Sequence, residues 1–241
     1  MKILIIRHAD PDYSIDSLTP KGRVEAELLS RKLEKLDISD FYVSVFGRAK
    51  DTAEYTLKKV NKTPHICEWL KEFPCIIDRP DKKNIIAWDW LPEDWTKVDE
   101  FYSHTEWWNV ETLKKGKVYE EYKRVTQEFD KVLKKHGYER NGRFYNAVNS
   151  NEETIAFFCH FGVECVLLSH LLNISPMVLW HGFCALPSSV TTLVTEERRR
   201  GIASFRTLGF GDISHLYAGE EEPSFAARFC ETYDNFEQRH D

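Results

Sequence analysis

Residues 3–9 read Ile3-Leu4-Ile5-Ile6-Arg7-His8-Ala9. Four consecutive apolar side chains, mostly β-branched, make the pattern of a strand covered on both faces, as in a parallel sheet. An arginine and a histidine end it abruptly. After a polar loop from Ala9 to Ser17, Thr19-Pro20 supplies an N-cap and a first-turn proline. Ala26, Leu29, Leu33 and Leu36 then recur at spacings of three and four, so a helix is predicted to follow the strand. The unit repeats: Phe41 to Val45 reads as a strand, Gly47 breaks the run, and Arg48 opens a helix with Ala49, Thr52, Ala53, Thr56 and Leu57 on one side.

Further along, Pro64 to Cys67 is a weaker strand candidate. Thr154 to Cys159 is a strong one that runs into His160 and an apolar helix from about Gly162 to Leu172. Val190 to Val194 and Ser204 to Leu208 complete the strands, joined by the charged turn Glu196 to Gly201. Alternating strands and helices predict an α/β fold of three layers, a mostly parallel sheet flanked by helices. Between about 76 and 151 the rhythm breaks. Trp88, Trp90, Trp95, Trp107 and Trp108 crowd a short stretch, and an amphipathic helix carrying Tyr119, Tyr122, Val125, Phe129, Val132 and Leu133 follows. This stretch reads as a helical cap inserted into a single domain spanning 1–241. Its tryptophans are expected to form their own small core, with substrate stacking as the alternative. Phe225, Phe229, Tyr233 and Phe236 predict a terminal helix docked on the body, or a contact in a homodimer.

Composition narrows the function. The 33 Lys+Arg against 39 Asp+Glu give a formal charge of -6, which offers no footprint for a nucleic acid backbone. No apolar run approaches the roughly 18 to 20 residues of a membrane span, and neither a signal peptide nor a transmembrane helix is expected. Cys67, Cys75, Cys159, Cys165, Cys184 and Cys230 include no C-x-x-C pair. They read as reduced, buried thiols of a cytoplasmic protein.

In an open α/β sheet, ligands sit beyond the carboxyl ends of the strands. Arg7-His8, the loop from Ser44 to Arg48, and His160 all fall at predicted strand ends, so they should converge. A phosphate dianion needs fixed positive charge and fork-shaped donors, which arginine supplies better than lysine. Arg7 and Arg48 are suited to this, His8 is a candidate nitrogen nucleophile, and His160 heads a helix whose N–H groups favour an anion. Ser44, Ser188 and Ser189 could donate to phosphate or simply cap turns. Asp10 and Asp12 could reach the pocket mouth, although Asp beside Pro11 is also ordinary turn chemistry. A zinc site would need three protein ligands, and the flanking arginines would repel the cation, so no metal and no cofactor are expected.

These motifs together resemble the histidine phosphatase superfamily, also called phosphoglycerate mutase-like. The resemblance rests on Arg7-His8-Ala9 after a buried strand, Leu18-Thr19-Pro20-Lys21-Gly22, Ser44 with Arg48-Ala49 and Thr52-Ala53-Glu54, Cys159-His160-Phe161-Gly162, and the late Ser214-His215-Leu216. It covers residues 1 to about 75 and about 153 to 217. It implies that His8 is transiently phosphorylated, that Arg7 and Arg48 grip the phosphate, and that His160 stabilises charge on the transferring group. It also implies an acid after the third strand in a Leu-x-Glu setting, which Leu70-Lys71-Glu72 fits, with Glu68 as the fallback. Two positions depart from the family pattern: Ala9 stands where glycine is common, and Phe161 follows the second histidine, where its backbone N–H can still bind the substrate's anion while its ring would narrow or reshape the pocket.

The function expected is therefore metal-independent hydrolysis of a small phosphomonoester through phosphohistidine. The alternatives are a mutase, which returns the phosphoryl group to a substrate, and a non-catalytic binder of phospho-ligands. From Trp88 to Glu111 the chain has seven acidic residues and only Lys97 as a base, so an overhang there would repel heavily phosphorylated ligands and favour an apolar or sugar body.

Overall fold

A computed structural model describes residues 1–224 and 231–235. The chain opens with β1 (Lys2–Arg7), a hairpin of β2 (Pro11–Asp12) and β3 (Ser17–Leu18), then α1 (Pro20–Leu33), β4 (Ile38–Ser44), α2 (Gly47–Val60) and β5 (His65–Cys67). A long crossing holds the small ribbon β6 (Ile76–Ile77) and β7 (Ile85–Ile86), the short helices α3 (Pro92–Trp95) and α4 (Glu111–Lys115), and α5 (Val118–Lys135). After β8 (Tyr138–Asn141) and β9 (Phe144–Ala147) come β10 (Thr154–Cys159), α6 (Phe161–Leu172), α7 (Pro176–Gly182), β11 (Val190–Arg199), β12 (Ile202–Asp212) and α8 (Ser214–Ala218).

Among the described residues, eight strands form one sheet in the order β5-β4-β10-β1-β11-β12-β9-β8. β5, β4, β10 and β1 run parallel, and the pairs from β1/β11 outward are antiparallel. The α/β class and the flanking helices hold, while the sheet is mixed: the Glu196 to Gly201 turn makes a hairpin of β11 and β12, which forces the antiparallel pairing. Of the stretch 76–151, β8 and β9 join the sheet edge.

β1 shows why the sheet carries helices on both faces. Leu4 and Ile6 pack with Leu29 and Leu33 of α1 and Ala53 of α2. Ile3 and Ile5 belong to the opposite cluster, with Val125 and Phe129 of α5 and Val166 and Leu167 of α6. Alternation along a strand sends successive side chains to opposite faces, so a run of four apolar residues serves two helical layers. α1 begins as expected, with the Thr19 hydroxyl accepting from the Gly22 N–H at 3.0 Å. It ends at Leu33, earlier than the spacing implied, and Leu36 is exposed.

Trp107 is fully buried and meets the rings of Tyr122 at 5.2 Å and Trp180 at 6.0 Å, and Trp90 is buried against Phe101. They do not form a separate small core as expected: both join the main cluster, because the stretch packs onto Trp180 of α7 and the helical layer of the sheet. Trp88 differs, because its indole N–H reaches the Phe73 carbonyl beside the strand ends. Cys67 and Cys75 are half-buried free thiols, and Cys159 and Cys165 are fully buried. Cys184 is exposed, against the expectation of a buried thiol, because it lies in the loop between α7 and β11. Cys230 and most of the expected terminal helix (Phe225, Phe229, Phe236) lie outside the described residues, and Tyr233 is exposed.

Candidate active site

The parallel ladder delivers the chemistry to one end of the sheet. Arg7 and Cys159 are in register, so His8 and His160 emerge side by side, with ring centroids 5.0 Å apart. His8 is not a solvated loop residue: it is only 2% exposed. Its Nδ1 lies 2.8 Å from the Ala9 carbonyl oxygen. A carbonyl only accepts, so Nδ1 carries the proton and Nε2 keeps its lone pair. Burial first, then the Arg7 charge, hold the His8 pKa well below the ordinary imidazole range. The ring is thus neutral near pH 7.

His160 is fully buried and is also driven well below the ordinary range, by burial first and then by His8 and the two arginines. Its Nε2 lies 2.9 Å from the Ser44 hydroxyl, which in turn accepts from the Phe46 N–H. In the tautomer in which Ser44 donates to Nε2, the proton sits on Nδ1, a buried atom with no partner among the described residues. In that tautomer the Nδ1–H is left to donate to a ligand.

Each arginine is pinned by one nitrogen and leaves others unused. Arg7 Nη1 donates to the Ala185 carbonyl at 2.6 Å, and Arg48 Nη1 donates to Asp16 Oδ1 at 2.6 Å. The Nε atoms of both are buried without a partner among the described residues. Two buried guanidinium edges and one imidazole N–H left unsatisfied together describe a cradle for a multivalent oxyanion. Arg48 lies against Phe46 at 4.6 Å and Tyr13 at 5.3 Å, and Arg7 against Phe161 at 5.7 Å.

Glu72 arrives from the loop after β5, partly buried. Its Oε1 accepts from the Phe73 N–H at 2.8 Å and the Val163 N–H at 3.1 Å. The acceptor at the N-terminus of α6 is therefore this carboxyl. A Cβ at Gly162 would come within 2.6 Å of Glu72 Oε1 and 2.7 Å of the Trp88 indole nitrogen, so glycine is what lets both side chains close over the helix end. Burial pushes the Glu72 pKa up, against the hydrogen bonds and the Arg7 charge that oppose the rise. Glu68 is exposed and turned to Lys71 and Arg124, whose contacts lower its pKa. The structure does not bring it to the cluster.

Ser188 and Ser189 act as braces. The Ser188 N–H donates to the His8 carbonyl and its hydroxyl meets His215 Nε2 at 3.0 Å, while the Ser189 carbonyl accepts from the Arg7 N–H. Asp10 accepts from the Thr19 hydroxyl, and Asp12 from Ser14. Both bonds lie within the segment from Asp10 to Thr19. Sequence reasoning missed Asp16, which bridges Arg48 and the Gly47 N–H, and Thr52, whose hydroxyl accepts from the Ala9 N–H. It also missed Glu164, buried on α6, bonded to Thr191 and pushed up to about 7 by burial. A lone carboxylate between Val163 and Cys165 was the available signal.

The family model of the histidine phosphatase superfamily, branch 1, matches residues 3–207. The chain belongs to that superfamily, whose members are phosphatases. It is 28% identical over 225 residues to the mitochondrial serine/threonine-protein phosphatase Pgam5 of Caenorhabditis elegans, covering 89% of this chain and 63% of that protein's length. Among solved structures, a phosphoserine phosphatase from Entamoeba histolytica bound to 3-phosphoglyceric acid superposes with a TM-score of 0.57 at 18% identity, covering 89% of this chain and 98% of the other. A mycobacterial glucosyl-3-phosphoglycerate phosphatase does so at 0.54 and 14%, covering 87% and 98%. At those identities the likeness is one of fold.

Proposed function

We propose that this protein hydrolyses a phosphomonoester through a phosphohistidine on His8, without a metal. The observation that carries the reading is the buried, neutral His8, with Nδ1 committed to the Ala9 carbonyl, beside buried Arg7 Nε, Arg48 Nε and His160 Nδ1, which have no partner among the described residues.

In the first step the Nε2 lone pair forms a bond to phosphorus as the bond to the ester oxygen breaks. The departing oxygen takes the proton of Glu72, whose Oε1 is held by backbone N–H groups so that Oε2 can carry it. The guanidinium edges and the His160 Nδ1–H hold the equatorial oxygens as charge moves outward. In the second step a water attacks phosphorus, Glu72 takes its proton, and His8 Nε2 leaves with its electron pair restored. Phosphate and an alcohol are the products.

The names of the relatives, phosphatases of phosphoserine, of a sugar phosphoglycerate and of protein serine and threonine, support ester hydrolysis without fixing the alcohol. The free thiols of Cys67, Cys75, Cys159 and Cys165 support a reducing compartment such as the cytoplasm. The test is hydrolysis of a panel of phosphorylated metabolites with and without a chelator, repeated with His8→Ala. Turnover should survive the chelator and fall by about three orders of magnitude or more in the variant, with the fold intact by circular dichroism. Near-normal turnover in His8→Ala, or loss with the chelator, would reject the reading.

A further inference from the structure

We infer that the alcohol half of the substrate carries a flat aromatic or heteroaromatic ring, received by Tyr13 at the tip of the β2–β3 hairpin. The inference rests on the phosphatase reading above, because it locates the ring relative to a phosphate held by Arg48.

β2 and β3 pair Pro11 with Leu18 and Asp12 with Ser17, so residues 13–16 form a tip beside α2. The carboxylates of this region are already engaged. Asp10 accepts from Thr19 at 2.6 Å, Asp12 from the Ser14 N–H and hydroxyl, and Asp16 from the Gly47 N–H and Arg48. The Ser17 hydroxyl is turned to Asp51. Each of these carboxylates commits at least one oxygen to a bond within the segment from Asp10 to Thr19 or to α2, which ties it to the fold.

What the tip presents is apolar. Tyr13 is 65% exposed and Ile15 66%, so both offer apolar surface to solvent. Tyr13 lies against the Arg48 guanidinium at 5.3 Å, Arg48 lies against Phe46 at 4.6 Å, and Phe46 meets the His160 ring edge-on at 5.3 Å. A series of planar groups thus leads outward from the reacting centre and ends on a ring whose remaining surface is open. Across the site, Phe161 leans on Arg7 and is met edge-on by Trp88 at 6.1 Å. Both phosphate-gripping arginines are collared by aromatic rings, and a flat ligand ring laid on Tyr13 would extend the series on the Arg48 side.

The test compares esters whose leaving groups are chemically alike, 2-phenylethyl phosphate and ethyl phosphate, so that alcohol acidity does not decide the rate. The ratio of kcat/KM should favour the phenylethyl ester by about tenfold or more. Tyr13→Ala should reduce that ratio about threefold to tenfold, and Tyr13→Phe should keep it. Calorimetry with 2-phenylethylphosphonate and ethylphosphonate gives the same comparison without turnover. Hydrolysis of both esters with a ratio near one, or a ratio unmoved by Tyr13→Ala, overturns the inference and leaves the phosphatase reading standing. Tyr13-dependent preference for the aromatic phosphonate with no hydrolysis of either ester does the reverse. No hydrolysis and no preference overturns both.

Discussion

The two halves of the sheet do different work. The parallel half, β5-β4-β10-β1, sends every strand toward the same end, where the last residues of β4 and β1 are Ser44 and Arg7 and the segments that follow the strands carry Glu72, Arg48, His160 and His8. The antiparallel half, β11-β12-β9-β8, alternates direction, so its connections are split between two ends. It offers the site only braces: Ser188 and Ser189 before β11, and Thr191 beneath Glu164. A parallel ladder concentrates loops, and with them reacting groups, at one edge, whereas an antiparallel ladder disperses them. The lesson is that the first half sets the chemistry and the second sets the stability of the platform.

The sharpest way to break this division is to damage the second half alone. Phe205 on β12 is buried and packs on Tyr145 at 5.0 Å and Tyr138 at 6.1 Å. Phe205→Ala should cost about 3 to 5 kcal/mol of unfolding free energy by denaturant titration. At a temperature where the variant is folded, kcat should be unchanged, and a matching fall in kcat would mean that the halves are coupled. The converse is Arg48→Lys. A lysine can still pair with Asp16 but cannot present a planar edge to phosphate, so transition-state stabilisation should drop by about 2 to 4 kcal/mol in kcat/KM. Its melting temperature should barely move. An unchanged kcat/KM would show that Arg48 does not grip the reacting group.

The smallest of these effects, and the most informative about proton transfer, concerns Glu72. The acid must be protonated to act, and burial raises its pKa above the ordinary 4.5, so kcat/KM should decline as pH rises through that raised value. On the acid side activity should fall only where His8 gains a proton, well below 6.5. Glu72→Gln should remove the decline at higher pH and slow alkyl phosphates far more than nitrophenyl phosphate, whose leaving group needs little proton assistance. Equal losses on the two substrates would make Glu72 a structural residue.

Much of this was legible in the chain because the parallel half is built from local units. Ile3 to His8, Thr19-Pro20 and Thr154 to His160 each announce a strand end or a helix start within a few residues, and strand ends are where such sheets react. The hairpin order of β11 and β12 was legible too, although its consequence, a mixed sheet, depends on pairing partners that no local pattern encodes. The partners of the reacting groups were hidden for the same reason. Asp16 holds Arg48 across 32 residues and Val163 donates to Glu72 across 91, contacts that exist only once the sheet is assembled. Gly162 was visible as a glycine, but its reason, room for Glu72 and Trp88, is purely tertiary.

The central claim is that His8 Nε2 becomes bonded to phosphorus. Rapid quenching of the enzyme with a phosphorus-labelled ester, followed by peptide mapping, tests it directly. The account predicts label on the peptide containing His8, stable in base and lost in acid; label on a serine or aspartate peptide, stable in acid, would contradict it.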